Sequence, residues 1–306
     1  MQTRSTRMLL ASAAVLMLAG ACSKDNTTTT TATTATTAKA AGSTVTTAAS
    51  TGTTAKSTGT TTAGKQGDLS ALLKDVKLVN SGKLTICSDI PYAPFEFEKD
   101  GKLTGFDVNV VDAMAKALAV GTEWKTTPFD TIIPALASGS CDLIASATTI
   151  TDERKEKVNF TKGYFDADQS LLVPAKDKDS IKKLEDLKDK VIGVQAGTTG
   201  AEYATKNKPE GATVKEYPGA DDLFLAVSSG DIAAVLQDYP VNAYRALQDS
   251  SKFAVTETFP TGEEYGFATN KDNEKLNTAL DTALGAVKAD GQYDDIYKTW
   301  FGDKPK

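Results

Sequence analysis

The amino-acid sequence predicts an α/β protein whose folded part has two lobes, each a mostly parallel sheet flanked by helices. Short apolar runs typical of strands alternate with stretches of helical spacing from about residue 68 onwards. Alternating strands and helices of this kind form parallel sheets that helices cover on both faces. Two such sets follow one another in the 306-residue chain, which is long enough for one or two ordinary domains.

The first 21 residues are predicted to be a signal peptide. Arg4 and Arg7 precede an apolar stretch, Met8 to Leu18, which is too short to span a bilayer as a stable helix. Small residues then precede Cys22 in the run LAGAC, which resembles the bacterial lipobox, in which the cysteine is lipidated and becomes the new N-terminus. The alternative is an ordinary cleaved signal peptide with a chance cysteine.

Residues 22–67 are predicted to be a disordered tether. The segment consists almost entirely of Thr, Ala, Gly, Ser and Lys, so it lacks the large apolar side chains from which a core is built. Acyl chains on Cys22 would give stable anchoring. The prediction is therefore an extracytoplasmic protein, anchored to the outer face of the bacterial cell membrane by a lipidated cysteine.

The composition excludes several kinds of active site. The chain contains no histidine, so a Ser-His-Asp triad, a Cys-His pair and a His-ligated zinc site are impossible. Its three cysteines, Cys22, Cys87 and Cys141, form no Cys-x-x-Cys motif, which argues against a metal site or a redox dithiol. A net charge of −6 without any basic stripe argues against nucleic acid as a partner. We therefore predict no catalytic residue, no metal and no cofactor.

Polar residues stand where several predicted strands end. Four of the apolar runs predict strands: Lys83 to Ser88, Asp142 to Ser146, Val191 to Gln195 and Ala233 to Leu236. Asp89 directly follows the first run, Gln195 ends the third, and Asp238 comes shortly after the fourth. In open parallel sheets ligands bind beyond the carboxyl ends of strands, so these side chains are candidates for a binding cleft.

Helix starts are marked by capping residues. Asp107 and Asp130 stand where helix N-caps belong, the second before a predicted helix over residues 131–138. Thr151 is the predicted cap of a helix that carries Arg154, and a glycine turn leads into a helix at Thr199. Free N–H groups at such a helix start attract anions.

At this point the chain resembles the bacterial extracellular solute-binding proteins of family 3, the amino-acid receptors of ABC importers. The resemblance extends from about Leu72 to Asp303 and rests on motifs that agree in order and spacing. These motifs are SDIPYAPFEF (88–97), GFDV (105–108), FDTIIPAL (129–136), TITDER (149–154), GTT (197–199) and WFG (300–302).

The resemblance implies a type II periplasmic-binding-protein fold with two hinge crossings, near Ser170 to Pro174 and near Glu263 to Ala268. One lobe would contain residues 68–171 and 265–306, and the other residues 172–264. It also implies a monomer that catalyses nothing, closes on a free amino acid by a hinge motion and delivers it to an ABC permease in the membrane.

The same resemblance implies the roles of individual side chains. Arg154 would grip the ligand α-carboxylate with both arms of its guanidinium, a geometry that lysine lacks. Thr199 would bind that carboxylate from the other lobe, and Asp238 would pair with the α-ammonium group. Ser146, Ala147 and Thr149 would line the cleft; Ala147 offers only its backbone N–H.

The resemblance also implies that four further residues contact the ligand side chain. Tyr92 and Phe129 would sandwich it, while Asp89 and Gln195 would meet its polar or cationic end. These residues favour arginine, lysine, histidine or glutamine. Glutamate is disfavoured because no unassigned cation is available for its second carboxylate. Glu96 would add a second acid near the mouth of the cleft.

Three questions stay open at the level of sequence. Cys87 and Cys141 form an even pair in an oxidising compartment, yet the register of two parallel strands would separate them, which argues slightly against a disulfide. Dehydratases of prephenate-like acids resemble this family, and Glu96 or Asp89 could supply their acid or base, although a lipid anchor argues against a biosynthetic enzyme. A ligand sensor that signals to a membrane partner is the other alternative.

Overall fold

The computed structural model describes residues 68–303 of the chain. The predicted signal peptide, the predicted lipidation site Cys22 and the predicted tether lie outside the described residues. The first part of the described chain forms β1 (Lys83–Ser88), β2 (Phe97–Lys99), β3 (Lys102–Thr104), α1 (Phe106–Ala117), β4 (Gly121–Thr126), α2 (Phe129–Ala137), β5 (Leu143–Ile144), α3 (Asp152–Lys157) and β6 (Val158–Phe160).

The remaining elements follow after a short crossing. They are β7 (Phe165–Pro174), β8 (Val191–Gln195), α4 (Thr199–Asn207), β9 (Thr213–Tyr217), α5 (Ala220–Ser229), β10 (Ala234–Asp238), α6 (Tyr239–Gln248), β11 (Phe253–Tyr265), β12 (Ala268–Asn270), α7 (Glu274–Ala289) and α8 (Gln292–Phe301). Short 3₁₀ turns occupy Ser70–Leu73, Ala175–Asp177 and Leu184–Leu187. Among the described residues, none of the helices has both the length and the apolar character needed to cross a membrane.

The first lobe is built on a five-stranded sheet in the order β4-β1-β5-β12-β6. Strands β4, β1 and β5 are parallel, as predicted, whereas β12 returns antiparallel between β5 and β6. Buried apolar side chains of α1 and α7, such as Met114 and Leu280, belong to the same core cluster as Leu84 and Ile86 of β1. Ile132 and Leu136 of α2 pack in a second cluster with Ile144 of β5.

The second lobe contains the other five-stranded sheet, in the order β11-β7-β10-β8-β9. Strands β10, β8 and β9 are parallel, and β7 and β11 add antiparallel pairs. Strand β7 follows β6 of the first sheet, and β11 precedes β12, so this pair carries the chain between the lobes. The predicted division at residue 171 falls inside β7, and the lobe boundaries stay a prediction.

The predicted helix caps at Asp107 and Asp130 were wrong, since each of these residues is the second residue of its helix. Helix α1 is capped by Gly105, at φ 140°, where an added Cβ would lie 1.9 Å from the carbonyl oxygen of Phe95. Helix α2 starts directly after Pro128. Asp107 is completely buried, and its carboxylate is used elsewhere: one oxygen accepts the backbone N–H of Ala147 at 2.9 Å.

Cys87 and Cys141 form a disulfide, so the sequence argument against it was wrong. Their Cα atoms are 5.8 Å apart. Strand β5 has only two residues, of which Ile144 lies opposite Cys87. Cys141 precedes this short strand and is not part of the parallel ladder, so strand register does not fix its distance from Cys87. Both residues are buried in the cluster between α2 and the first sheet.

Candidate functional site

One cavity between the two lobes is lined by every side chain that the sequence predicted for ligand binding. Thr198 is the one further residue that lines it. The predicted residues that line it are Asp89, Tyr92, Phe129, Ser146, Ala147, Thr149, Arg154, Gln195, Thr199 and Asp238.

Arg154 presents a buried guanidinium to this cavity. Its backbone N–H donates to the hydroxyl of Thr151, which caps α3 as predicted. Nη1 donates to the carbonyl of Thr149 at 2.8 Å, and Nη2 donates to the carbonyl of Gly197 in the other lobe at 3.1 Å. Burial lowers the pKa of Arg154, against the opposing effect of the Asp238 charge. Because a guanidinium has five N–H donors, it can also hold a planar anion.

Phe129 and Tyr92 supply the aromatic walls of the cavity. The guanidinium carbon of Arg154 lies 5.3 Å from the centre of the Phe129 ring, a distance at which cation and ring attract each other. The Tyr92 ring is buried, and its hydroxyl donates a 2.9 Å hydrogen bond to Asp238. Both rings therefore have a fixed orientation beside a charged group.

Asp238 ends β10 and accepts hydrogen bonds from both lobes. Besides the Tyr92 hydroxyl, it accepts the side-chain amide of Gln169 at 2.6 Å and the hydroxyl of Tyr265. Burial raises the pKa of Asp238, while the hydrogen bonds from Tyr265, Tyr92 and Gln169 oppose that shift. A carboxylate held in this way is an anionic site for an ammonium group.

Asp89 is the second carboxylate of the cavity. It follows β1 and accepts a hydrogen bond from the side-chain amide of Gln195, at the end of β8 in the other lobe. Burial raises the pKa of Asp89 to about 6, and the nearby charge of Asp130 adds to the increase. Asp89 is consequently a carboxyl group that a cationic partner would keep ionised.

A pair of buried acids supports the floor of the cavity. The hydroxyl of Ser146 donates to Glu96 at 2.8 Å and accepts the backbone N–H of Asp89 at 2.9 Å. Asp107 holds the backbone N–H of Ala147, whose φ of 42° is unusual for a residue other than glycine. Glu96 is completely buried and does not line the cavity, so its predicted place near the cleft mouth was wrong.

Burial raises the pKa of both acids in this floor. The pKa of Asp107 reaches about 6, and burial together with the Asp107 charge holds the pKa of Glu96 well above its usual value. The hydroxyl of Tyr164 donates to both Asp107 oxygens at 2.7 Å. The loop that offers Ser146, Ala147 and Thr149 thus rests on two acids that keep their protons to a higher pH than an exposed carboxyl group does.

The start of α4 forms the wall contributed by the second lobe. Thr198 is its N-cap: the hydroxyl accepts the N–H of Ala201 at 3.1 Å and donates to the carbonyl of Gln195 at 2.8 Å. Thr199 is the first helical residue, so its N–H lies at the positive end of the helix dipole. Gly197 adopts φ 75°, and an added Cβ would lie 3.1 Å from the Cα of Asp130 in the first lobe.

Three important polar side chains were not predicted from the sequence. Gln169 and Glu263 lie on the crossing strands β7 and β11, and Thr198 caps α4. Thr198 carried a usable signal, because it stands between the turn glycine and Thr199. Gln169 and Glu263 carried none, since only the pairing of the crossing strands places them beside the cavity.

The charges of the cavity suit a ligand that carries both signs. Among the residues that line the cavity, Arg154 carries the positive charge, and Asp89 and Asp238 supply the carboxylates. Within residues 68–303, no cluster of acidic or cysteine side chains has the composition and geometry of a metal site. The arrangement can hold an anionic group at Arg154 and the α4 start, and cationic groups at the two aspartates.

Curated proteins similar to this chain are binding proteins for amino acids. It is 35% identical over 210 residues to a "probable histidine-binding protein" of Campylobacter jejuni, covering 68% of this chain and 81% of that protein. It is 32% identical over 247 residues to the "ABC transporter glutamine-binding protein GlnH" of Bacillus subtilis, covering 79% of this chain and 87% of that protein.

Solved structures give the same result. An ancestral arginine-binding protein bound to arginine matches with a TM-score of 0.68 and 39% identity, over 72% of this chain and 99% of that one. An ancestral amino acid-binding protein, described as a precursor of cyclohexadienyl dehydratase, matches with a TM-score of 0.67 and 38% identity, over 72% and 96%. The family model for bacterial extracellular solute-binding proteins matches residues 84–303. The chain therefore belongs to the bacterial extracellular solute-binding proteins, family 3.

Proposed function

We propose that this protein is the substrate-binding component of an amino-acid ABC importer and that its cavity binds a free L-amino acid. One observation carries the proposal: a buried guanidinium, Arg154, and a buried carboxylate, Asp238, line the same cavity from different lobes. The α-carboxylate and α-ammonium groups of an amino acid are the complementary pair. A ligand that bridges the two groups would favour closure, because it binds the closed arrangement better than the open one.

Asp89 favours a ligand with a cationic or polar side chain. Once Arg154 and Asp238 have met the α-carboxylate and α-ammonium groups, Asp89 is an extra carboxylate in a half-buried position. An arginine, lysine or histidinium side chain would neutralise it, and a glutamine amide would donate a hydrogen bond to it. The similar proteins named for histidine, glutamine and arginine binding support this class of ligand.

The location we propose is the outer face of the bacterial cell membrane. Cleavage after residue 21, lipidation of Cys22 and a tether over residues 22–67 would hold the folded part near its permease. Replacement of Cys22 by Ala should release the protein from the membrane fraction of the native host, while the wild-type protein should stay with it. A Cys22→Ala protein that remains in the membrane fraction would argue against the lipid anchor.

Calorimetry of the purified protein against the common L-amino acids tests the main proposal. We expect binding in the micromolar range, about −8 kcal/mol, for one or a few cationic or polar amino acids. Asp238→Asn keeps the shape of the side chain but removes the charge that meets the ammonium group, so binding should be lost. Glu264→Gln, on an exposed residue of β11, is the matched control. Equal binding by Asp238→Asn and the control would contradict the assignment.

A dehydratase activity is the second candidate, and the similarity to the precursor of cyclohexadienyl dehydratase is the observation that favours it. Asp89, with its pKa of about 6, would be the acid or base available in the cavity. Incubation of the purified protein with prephenate or arogenate separates the two functions. We expect no turnover; formation of the aromatic product, abolished by Asp89→Asn, would favour the enzyme.

A further inference from the structure

Glu263 occupies a distinctive position on the crossing strand β11. Its carboxylate accepts hydrogen bonds from the hydroxyl of Thr149 at 3.0 Å and from the hydroxyl of Thr199 at 2.7 Å. Thr149 follows β5 of the first lobe, and Thr199 begins α4 of the second. One carboxylate on a hinge strand therefore joins the two lobes through two side chains that line the ligand cavity.

The backbone and a neighbouring amide fix this carboxylate in place. The register between β11 and β7 shifts between Phe259 and Glu263, and pairing resumes with Glu263 opposite Ala167. The side-chain amide of Gln169 lies 3.3 Å from one Glu263 oxygen and 2.6 Å from Asp238. Gln169 thereby stands between two carboxylates whose charges repel each other, and it reduces that repulsion by donating to both.

The direction of the two hydroxyl protons has a consequence for ligand binding. Each hydroxyl has one proton, and in this arrangement both protons point at Glu263. A ligand carboxylate at Arg154 would then meet the lone pairs of the two threonine oxygens, unless it took these protons from Glu263. The donors that stay available to the ligand are the guanidinium and the backbone N–H groups of the cavity.

We propose that Glu263 is a positioning residue that latches the closed arrangement by holding Thr149 and Thr199 against the same carboxylate. The proposal rests on the proposed function, because closure matters only if the cavity takes a ligand. The latch stabilises the closed lobes and makes no bond to the ligand. Its loss should consequently speed ligand release and leave ligand capture, which starts from the open lobes, almost unchanged.

Stopped-flow fluorescence with the amino acid found by calorimetry separates these effects. Glu263→Ala removes the charge and both acceptor oxygens, and the dissociation rate should rise about tenfold with an association rate within about twofold of wild type. Glu263→Gln keeps one acceptor oxygen and should raise the dissociation rate less. Glu264→Gln, the exposed neighbour, should match wild type. Equal dissociation rates for Glu263→Ala and Glu264→Gln would overturn the latch.

A double-mutant cycle tests whether Glu263 acts through the threonines. If it does, the double variant Thr199→Val, Glu263→Ala should release the ligand no faster than the faster-releasing of the two single variants. Additive effects on the dissociation rate would overturn the proposal. Circular dichroism of each variant checks that the fold is intact, and Glu263→Gln, which preserves the shape of the side chain, serves if Glu263→Ala does not fold.

Hydrogen exchange of the protein saturated with its amino acid, which holds the lobes closed, distinguishes failure of the latch from failure of the proposed function. The latch predicts faster exchange in Glu263→Ala than in Glu264→Gln for the segments that contain Thr149 and Thr199. Unchanged exchange in both segments would overturn it even if an amino acid binds. Calorimetry that detects no amino-acid binding to the wild-type protein would instead contradict the proposed function, and with it the ligand whose release the latch slows.

Discussion

The hydroxyl of Tyr92 donates a 2.9 Å hydrogen bond to the carboxylate of Asp238, across the boundary between the two lobes. The tyrosine comes from the loop after β1, and the aspartate ends β10 of the other sheet. Burial raises the pKa of Tyr92 well above its usual value, so this hydroxyl keeps its proton and stays a donor. An amino acid would therefore meet an Asp238 whose orientation is already fixed.

Replacement of Arg154 by Ala should lower amino-acid affinity by roughly 100-fold or more, because the ligand α-carboxylate would then be buried without a cationic partner. Arg154→Lys should also bind weakly, since an ammonium group cannot grip both oxygens of a carboxylate. Calorimetry measures both effects. Lys155→Ala, which removes the exposed neighbour in α3, is the matched control. Near wild-type affinity in Arg154→Ala would exclude this residue as the carboxylate site.

The affinity for a cationic amino acid should depend on pH through Asp89. Because the pKa of Asp89 is about 6, the carboxyl becomes neutral as the pH falls through that value and loses its attraction for a cation. Binding of arginine or lysine should weaken by up to about tenfold for each pH unit below 6. Calorimetry from neutral to acidic pH measures this dependence.

Asp89→Asn is the control for this pH dependence. The variant should bind arginine weakly at neutral pH and show a flatter profile, whereas binding of glutamine should change less. A pH profile in Asp89→Asn as steep as that of wild type would assign the titration to another group, with Asp107 the first to test.

The buried acids Glu96 and Asp107 should make the protein less stable as the pH rises. Their pKa values are raised in the folded state, so between about pH 4 and pH 6 the folded chain binds more protons than the unfolded chain. The free energy of unfolding should therefore fall through this window. Urea denaturation at a series of pH values measures the slope.

Asp107→Asn should flatten this slope, because it removes a group that titrates there while it can still accept the N–H of Ala147. The matched control is Glu156→Gln, on an exposed residue of α3. An equal slope in wild type and Asp107→Asn would show that Asp107 does not titrate in this window.

Loss of the Cys87–Cys141 disulfide should reduce the free energy of unfolding by up to about 4 kcal/mol, from the loop entropy of a 54-residue separation. Denaturation of wild type and of the double variant Cys87→Ser, Cys141→Ser measures the loss. Both should bind the same amino acid, since neither cysteine lines the cavity. Equal stability of wild type and the double variant would mean that the disulfide does not constrain the unfolded chain.

The sequence located the cavity residues because they follow elements whose ends are easy to identify. Gln195 and Asp238 end strands whose apolar runs are short and clear, and Arg154 follows a well-defined cap. The carboxyl ends of parallel strands converge, so the positions along the chain were sufficient to place these side chains together. The resemblance to a known family then supplied their expected roles.

The errors arose where a side chain interacts with residues far along the chain. Asp107 has the type and position of a helix cap, yet its partner is the N–H of Ala147, forty residues later. Cys141 was placed by the register of a strand that proved to have only two residues. Glu263 gave no local signal, because its partners are distant along the chain: Thr149 lies in the loop after β5, and Thr199 begins α4.

The pairing of β7 with β11 determines where the molecule can bend. The two strands pair from Phe165–Tyr265 to Pro174–Phe253, but the register shifts between Phe259 and Glu263, where β11 has three residues opposite one of β7. A swing of one lobe against the other can therefore be absorbed at the shift between Phe259 and Glu263 and by residues 161–164 and 266–267, which join the paired strands to the first sheet. Gly266 is packed so closely against Ile150 that a methyl group there would collide with it. A larger side chain at residue 266 would therefore displace Ile150 and disturb the connection between the two lobes.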